Sequence, residues 1–280
     1  KKLNFFLQTK NIEINYFNSI IPLKEIRANI PFDSITGKNK RIEKIFLSSD
    51  ELNIKEFKKF IVNVKPSNFK SFLLNNLVDG KIVKSNFDLT FDDNFKIKDF
   101  KINGKVNRLN AQISEEIALN NVSFNFAFDK NLVLLNSVKT NFRDIVITNG
   151  VVEVEKKEEV KISGKFNSNF DLENENIKNL FSKQKFKFLE KNNIKITGTA
   201  LQNFDLKLSN TLKVLDYDYS STGKIEEAKI LFKKELKPKI LDKGINKIKV
   251  QKTDFKINFN KKNKNLINLE GNYKTNDSKF

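Results

Sequence analysis

Four adjacent carboxylate pairs, Asp92-Asp93, Glu115-Glu116, Glu158-Glu159 and Glu226-Glu227, come nearest in this chain to an acid–base constellation. A general acid and its base must reach one substrate, and neighbouring residues on an extended strand point to opposite faces. Such pairs cannot pass a proton through a shared substrate. Asp216 and Asp218 are two apart and face the same way, so they could reach one cation, but no further oxygen ligands stand at a recognisable spacing. A solvated strand edge is the default for them. The chain has no His and no Cys, which removes imidazole and thiolate metal sites, Ser-His-Asp triads and disulfides. Walker, GxGxxG, GxSxG and EF-hand spacings are absent as well. A Ser–Lys dyad is chemically open, yet no Ser or Lys is singled out by its surroundings. The expectation is a chain that is not an enzyme and holds neither metal nor cofactor.

The elements that would position these groups are strands. Apolar or small residues alternate with polar ones through Val160, Ile162, Gly164, Phe166, Ser168, Phe170 and Leu172, with Lys161, Ser163, Lys165, Asn167, Asn169 and Asp171 between. A period of two marks an extended strand with one dry and one wet face. The pattern recurs at Val83, Ser85, Phe87, Leu89 and Phe91; at Val122, Phe124, Phe126 and Phe128; at Phe204, Leu206 and Leu208; and at Phe255, Ile257 and Phe259. Between Ile97 and Phe100 the apolar positions pass from odd to even, continuing through Ile102, Gly104 and Val106, which calls for a turn or bulge at Asp99. Near the start, Leu3, Phe5 and Leu7, then Ile12, Ile14 and Tyr16, read as short strands before Pro22 and Pro31.

Helical patterns are few. Residues 50–78 read as a short helical insertion: Asp50 can cap a stretch that gathers Leu52, Phe57, Phe60 and Ile61 on one face and ends at Pro66, and Asn68 to Val78 forms a second run stopped by Asp79-Gly80. Residues 173–193 and 226–243 space their apolar residues as well for helix as for irregular chain, and read as irregular or helical interruptions of the sheet. The predicted fold is mainly β: a long, strongly coiled antiparallel sheet, open as a groove or trough, with one or two short helices. With no Met anywhere, residues 1–280 read as one elongated segment of a larger protein.

Glycine recurs on the dry face in Ile102-Asn103-Gly104-Lys105-Val106, Ile162-Ser163-Gly164-Lys165-Phe166, Ile196-Thr197-Gly198-Thr199-Ala200 and Leu269-Glu270-Gly271-Asn272-Tyr273. Glycine in a strand marks a bulge or the close approach of another backbone. A missing side chain on an apolar face also leaves volume for a ligand's acyl chain. Both readings stand at this point, and both suit a curved sheet.

The net charge of +18 would ordinarily direct attention to nucleic acid or an anionic membrane. Only Arg27, Arg41, Arg108 and Arg143 carry the guanidinium fork that phosphate and base recognition favours. Lys, Asn, Ile and Phe are inflated together, as an AT-rich genome would produce, so the charge reads as a solvated face that would still attract anionic head groups. Mean hydropathy is −0.48, yet the chain has 27 Phe, too many for a disordered polymer. No apolar run is long enough to span a bilayer as a helix.

The succession Ile20-Ile21-Pro22-Leu23-Lys24-Glu25-Ile26, Leu52-Asn53-Ile54-Lys55-Glu56-Phe57, Val78-Asp79-Gly80-Lys81-Ile82 and Ile97-Lys98-Asp99-Phe100-Lys101-Ile102-Asn103-Gly104-Lys105-Val106 resembles the AsmA-like bacterial envelope proteins of the TamB and YhdP type. The likeness covers roughly residues 1 to 170 and rests on pattern, not on a catalytic motif. It implies an interior fragment of a periplasmic β-groove, tethered to the inner membrane by a segment outside this chain, that moves phospholipid between membranes. The residues then expected to face lipid are Phe87, Leu89, Phe91, Ile102, Gly104, Val106, Phe124, Phe126, Ile162, Gly164, Phe166, Phe170, Phe204, Leu206, Leu208, Phe255, Ile257 and Phe259. The expected partners are phospholipid acyl chains and a membrane reached through missing terminal regions, with no nucleic acid. Two alternatives remain: a structural β-sandwich whose apolar faces seal each other, and a basic nucleic-acid binder that uses Phe57-Lys58-Lys59-Phe60 or Phe186-Lys187-Phe188.

Overall fold

A computed structural model describes residues 4–16, 19–37, 41–63, 66–114, 117–180, 192–211, 213–237, 244–261, 266–275 and 278–279. In chain order the elements are β1 (Asn4–Tyr16), β2 (Ser19–Pro31), α1 (Phe32–Thr36), β3 (Lys44–Ser49), β4 (Leu52–Asn53), α2 (Ile54–Val62), α3 (Asn68–Asn76), β5 (Leu77–Phe91), β6 (Ile97–Ser114), β7 (Ile117–Phe128), β8 (Leu132–Phe142), β9 (Ile145–Lys156), β10 (Val160–Glu173), α4 (Asn174–Leu180), β11 (Asn192–Leu208), β12 (Val214–Leu236), β13 (Ile245–Asn260), β14 (Leu266–Thr275) and β15 (Ser278–Lys279). The chain is mainly β and antiparallel, as the alternation requires. Four short helices, not one or two, are present among the described residues. None is long and apolar enough to cross a membrane.

Two compact units divide the chain: Lys1–Thr140 with Glu153–Lys157, and Asn141–Val152 with Glu158–Phe280. The first orders its strands β1-β2-β3-β5-β6-β7, with β4 beside β5. Register places Thr9, Ile26, Leu47, Phe87, Ile102 and Phe128 in one row across six strands, and Leu7, Ala28, Ile45, Leu89 and Phe100 in another. Residues directly opposite share a face, so these rows are the dry face seen in the alternation.

Where the alternation slips, the backbone is irregular. Thr90 pairs with Asp99 but Phe91 with Ile97, which leaves Lys98 as the extra residue, one position before the expected Asp99. β1 is a single strand and not two, because Asn11 at φ 54° switches parity within it. Val83 falls in a register shift between Ile82 and Lys84, so Ile82, opposite Val106, and not Val83 holds the dry-face position.

In the 50–78 insertion, α2 buries Ile54 and Ile61, and the Ser67 side chain accepts the Lys70 N–H at 3.1 Å to start α3. The second run does not stop at Asp79-Gly80. α3 ends at Asn76 and both residues belong to β5, where Gly80 at φ 136° falls in the register shift between Asp79 and Lys81. An added Cβ there would lie 2.7 Å from the Leu109 Cα, so glycine serves a close strand approach and not a turn.

The second unit orders its strands β10-β11-β12-β13-β14-β15. The expected interruption at 173–193 is α4, followed by residues 181–191 outside the described set and by β11 from Asn192. The expected interruption at 226–243 is corrected over 226–236, which continue the 23-residue strand β12; 238–243 lie outside the described residues. The cause is a bulge. Gly198 pairs with Ile225 while Thr197 pairs with Glu227, so Glu226 is extra and the apolar parity moves from Ile225 to Ala228 and Ile230. A parity change mid-strand reads in sequence as loss of strand periodicity.

Buried residues are small or branched. They include Ile82, Val106, Leu109, Ala111 and Val122 in the first unit and Ile194, Ala200 and Ala228 in the second, together with Ser49, Ser85, Ser168, Ser221 and Thr253. In the first unit, Ser49 and Ser85 sit opposite each other with Oγ atoms 2.6 Å apart, a hydroxyl pair below the dry face. Ser85→Ala alone should lower stability by about 1–3 kcal/mol, because the Ser49 hydroxyl loses its partner, and Ser49→Ala with Ser85→Ala should cost less than the two singles summed. Urea denaturation of the three variants measures this.

Candidate functional site

The dry face is assembled as the alternation predicts. In the first unit Phe87 stands opposite Ile102, Leu89 opposite Phe100, Phe91 opposite Ile97, Val106 opposite Phe124 and Gly104 opposite Phe126. In the second, Ile162 faces Leu206, Gly164 faces Phe204 and Phe170 faces Gly198, and the row continues through Tyr219 to Phe259, Ser221 to Ile257 and Gly223 to Phe255. The residues expected from the alternation to line this face, from Phe87 to Phe259 as named above for lipid contact, therefore lie with their companions on one side of their own unit, whereas Val83 does not. Among these residues Val106, at 5% exposure, is buried, and the rest are half-buried. In a sandwich the inner faces interdigitate and such side chains are enclosed.

The rings pack along the face. Phe126 stacks on Phe128 at 5.7 Å and meets Phe124 edge-on at 6.5 Å. Phe166 stacks on Phe204 at 5.9 Å, Tyr219 on Phe259 at 5.9 Å, and Phe170 meets Phe255 edge-on at 6.3 Å. These offset and edge geometries are the favoured ones for aromatic pairs.

The glycines overturn one expectation. A Cβ added at Gly164 would stand 2.2 Å from the Phe204 ring, at Gly104 2.6 Å from the Phe126 ring, at Gly198 2.7 Å from Phe170 and at Gly223 2.9 Å from Phe255. Each is the direct cross-strand partner. The volume left by the missing side chain is filled by a ring, so it does not accommodate an acyl chain, and close approach is the correct reading. Gly104, Gly198 and Gly223 also lie under a neighbouring carbonyl, of Lys84, Lys224 and Thr199, at 2.1–2.3 Å from the same added atom. A ring over a cross-strand glycine shields the backbone that the glycine exposes.

The other face is wet. Ser48, Asn86 and Asn103 form a side-chain ladder at 3.0 and 3.1 Å across three strands. Lys195 binds Glu173 at 3.0 Å and Asp171 at 3.4 Å, and these contacts raise its pKa. Glu227 bridges Lys229 at 2.6 Å and Lys249 at 3.1 Å, and hydrogen bonding to the two ammonium groups, Lys229 first, holds its carboxyl below the usual carboxylate range. On the dry face, burial pushes the Tyr219 hydroxyl up, partly offset by its hydrogen bond with Ser221.

The carboxylate pairs do not converge. Asp92 accepts the Asn94 and Lys96 N–H groups of a turn and Asp93 binds Arg41 at 2.8 Å. Glu226 is the bulged residue beside Glu227, Glu158-Glu159 are exposed between strands, and Glu115-Glu116 lie outside the described residues. Asp216 stands opposite Lys207 and Asp218 opposite Asp205, and no group of three or more acidic residues is gathered for a metal among the described residues. Sequence reading passed over the β12 contribution to the dry face, Tyr217, Tyr219, Ser221, Gly223 and Ile225, although the alternation there is complete. It also left out Ile45 and Leu47 of β3, whose strand is only six residues long. No family model matches this chain, and neither the curated proteins nor the solved structures contain a match to it.

The glycine–ring pairs separate by mechanism. Gly164→Ala has its three nearest contacts with the Phe204 ring, so it should destabilise by about 1–3 kcal/mol and be relieved in the background of Phe204→Ala. Gly223→Ala meets the Thr199 carbonyl and the Ala200 Cα first, so Phe255→Ala should bring no relief. Double-mutant cycles in urea report both.

Proposed function

We propose that the Phe-lined face of each unit is a contact surface for phospholipid acyl chains, and that the chain is a non-enzymatic segment of a bridge-like lipid transfer protein of the cell envelope. The observation that carries this reading is the half-buried state of the face: Phe87, Phe126, Phe166, Phe204 and Phe255 sit on well-paired strands yet keep part of each ring accessible. A soluble chain rarely leaves so many aligned rings uncovered without a use for them. Each methylene laid against such a surface gains about 0.8 kcal/mol, while polar anchors that would fix a single ligand are few, as low-specificity passage requires.

The reading agrees with the resemblance to AsmA-like proteins and with their periplasmic setting, in which a tether outside this chain would hold it to the inner membrane. Head groups would stay in water at the strand ends while acyl chains follow the rings. The sealed-sandwich alternative has no specific observation in its favour.

The test is mass spectrometry of lipid carried through purification. Phospholipid should accompany the native chain, Phe126→Glu or Ile162→Glu should reduce it several-fold, and Asn125→Glu or Lys161→Glu, on the opposite face, should leave it unchanged. A lipid-free native chain, or equal loss from both sets, contradicts the proposal.

A further inference from the structure

We propose that the outer edge of β1 is a self-association site, at which β1 of a second copy of this chain adds as an antiparallel strand. Among the described residues β1 pairs with β2 alone, so it is the outer strand of the first unit. The Asn29 carbonyl accepts the Glu43 N–H at 3.0 Å, which turns the backbone groups of Asn29 to the β3 side. Opposed residues in an antiparallel pair alternate between bonding each other and not, so Phe6, opposite Asn29, points its N–H and C=O outward, as do Asn4 and Gln8. These groups form an open ladder for a further strand.

The side chains along this ladder are apolar on both faces. Phe5, whose ring stacks on Phe32 at 5.5 Å, and Leu7, at 61% exposure, lie on the dry face in the rows of Ile30 and Ala28. Phe6 lies on the wet face in the row of Asn29 and Lys44, and is 72% exposed. An apolar chain or a helix laid on the sheet covers one face only. An added strand brings side chains to both. The run also lacks the devices that guard an edge: residues 4–9 contain no charge and no Pro in a chain with 31% charged residues, whereas Lys10, the φ 54° break at Asn11 and Glu13 protect the rest of the strand. Contact is thereby confined to the first half of β1, and there the strand is complementary to itself. A two-fold axis at Phe6 sets Phe5 opposite Leu7 of the second copy on the dry face, Phe6 opposite Phe6 on the wet face, and Asn4 opposite Gln8. Moving the axis to Leu7 would set Phe6 against Gln8 and Phe5 against Thr9, so rings would meet polar groups. The two-fold contact uses up both edges, and assembly closes at a dimer. This association is independent of the acyl-chain reading of the Phe face.

Sedimentation equilibrium of the full chain from about 10 to about 500 µM tests it, the range suited to a contact this small. The native chain should show a monomer–dimer equilibrium that tightens as salt rises, because each copy carries a net charge of +18. Phe6→Lys, which sets two ammonium groups against each other, should weaken the dimer roughly tenfold or more while the melting temperature of dilute protein stays the same. Gln8→Pro, which removes an outward N–H, should weaken it as well. Leu231→Lys, at an exposed apolar residue of the second unit, should dimerise as the native chain does. With no Cys in the chain, register can be read by oxidation: Phe6→Cys should cross-link to itself, and Phe5→Cys should cross-link to Leu7→Cys far faster than to itself. A native chain that is monomeric at about 500 µM, or a dimer that Phe6→Lys leaves intact or that added salt dissolves, overturns the proposal. So does Phe5→Cys that links to itself as fast as to Leu7→Cys.

Discussion

A ring lying across a cross-strand glycine, Phe126 over Gly104 in the first unit and Phe204 over Gly164 in the second, is the contact on which each unit depends. A sheet face made of large apolar side chains is normally stabilised by the layer packed against it. Here the face residues remain partly accessible, so the burial they achieve comes from neighbours on adjacent strands: ring over glycine, ring on ring, and small residues beneath. That requirement explains the composition. Glycine, Ser and Ala must stand opposite the rings to admit them, which is why Gly104 lies between Ser85 and Phe126, and Gly223 between Ala200 and Phe255. It also explains why the most buried strand residues are Ser168, Ser221 and Thr253, and not the Phe residues.

The wet face contributes differently. Its ion pairs at Lys195, Glu227 and Lys44 are exposed to solvent and screened by salt, so they set register and discourage mispairing more than they add stability. The strongly positive balance of the chain is therefore a surface property, while cohesion lies with the rings and the backbone ladder.

Much of this was legible in the residues. Alternation through Val160 to Leu172 located both faces of β10, and the same face was read in its partner β11 from Phe204 to Leu208 and in β13, the partner of β12, from Phe255 to Phe259. The parity change near Lys98 was legible to within one residue, as a bulge at Asp99, because apolar residues flank it closely on both sides; the changes at Asn11 and Glu226 were hidden. Apolar parity changes at both, and a window that spans such a change sees no period at all, so β1 was divided and the end of β12 was read as an interruption. Glycine was ambiguous for another reason. Its open slot is visible in sequence, but the ring that fills it comes from a different strand, such as Phe170 for Gly198, and only register brings the two together.

The central claim is that the Phe-lined face is accessible and not sealed. Because the chain has no Cys, single cysteines can be placed at will. The most direct measurement is the maleimide labelling rate of Leu206→Cys and Ile257→Cys on the face, compared with Lys207→Cys on the wet side and Ala228→Cys in a buried position. The account predicts face rates within about tenfold of Lys207→Cys and well above Ala228→Cys. Face positions as protected as Ala228→Cys would contradict it.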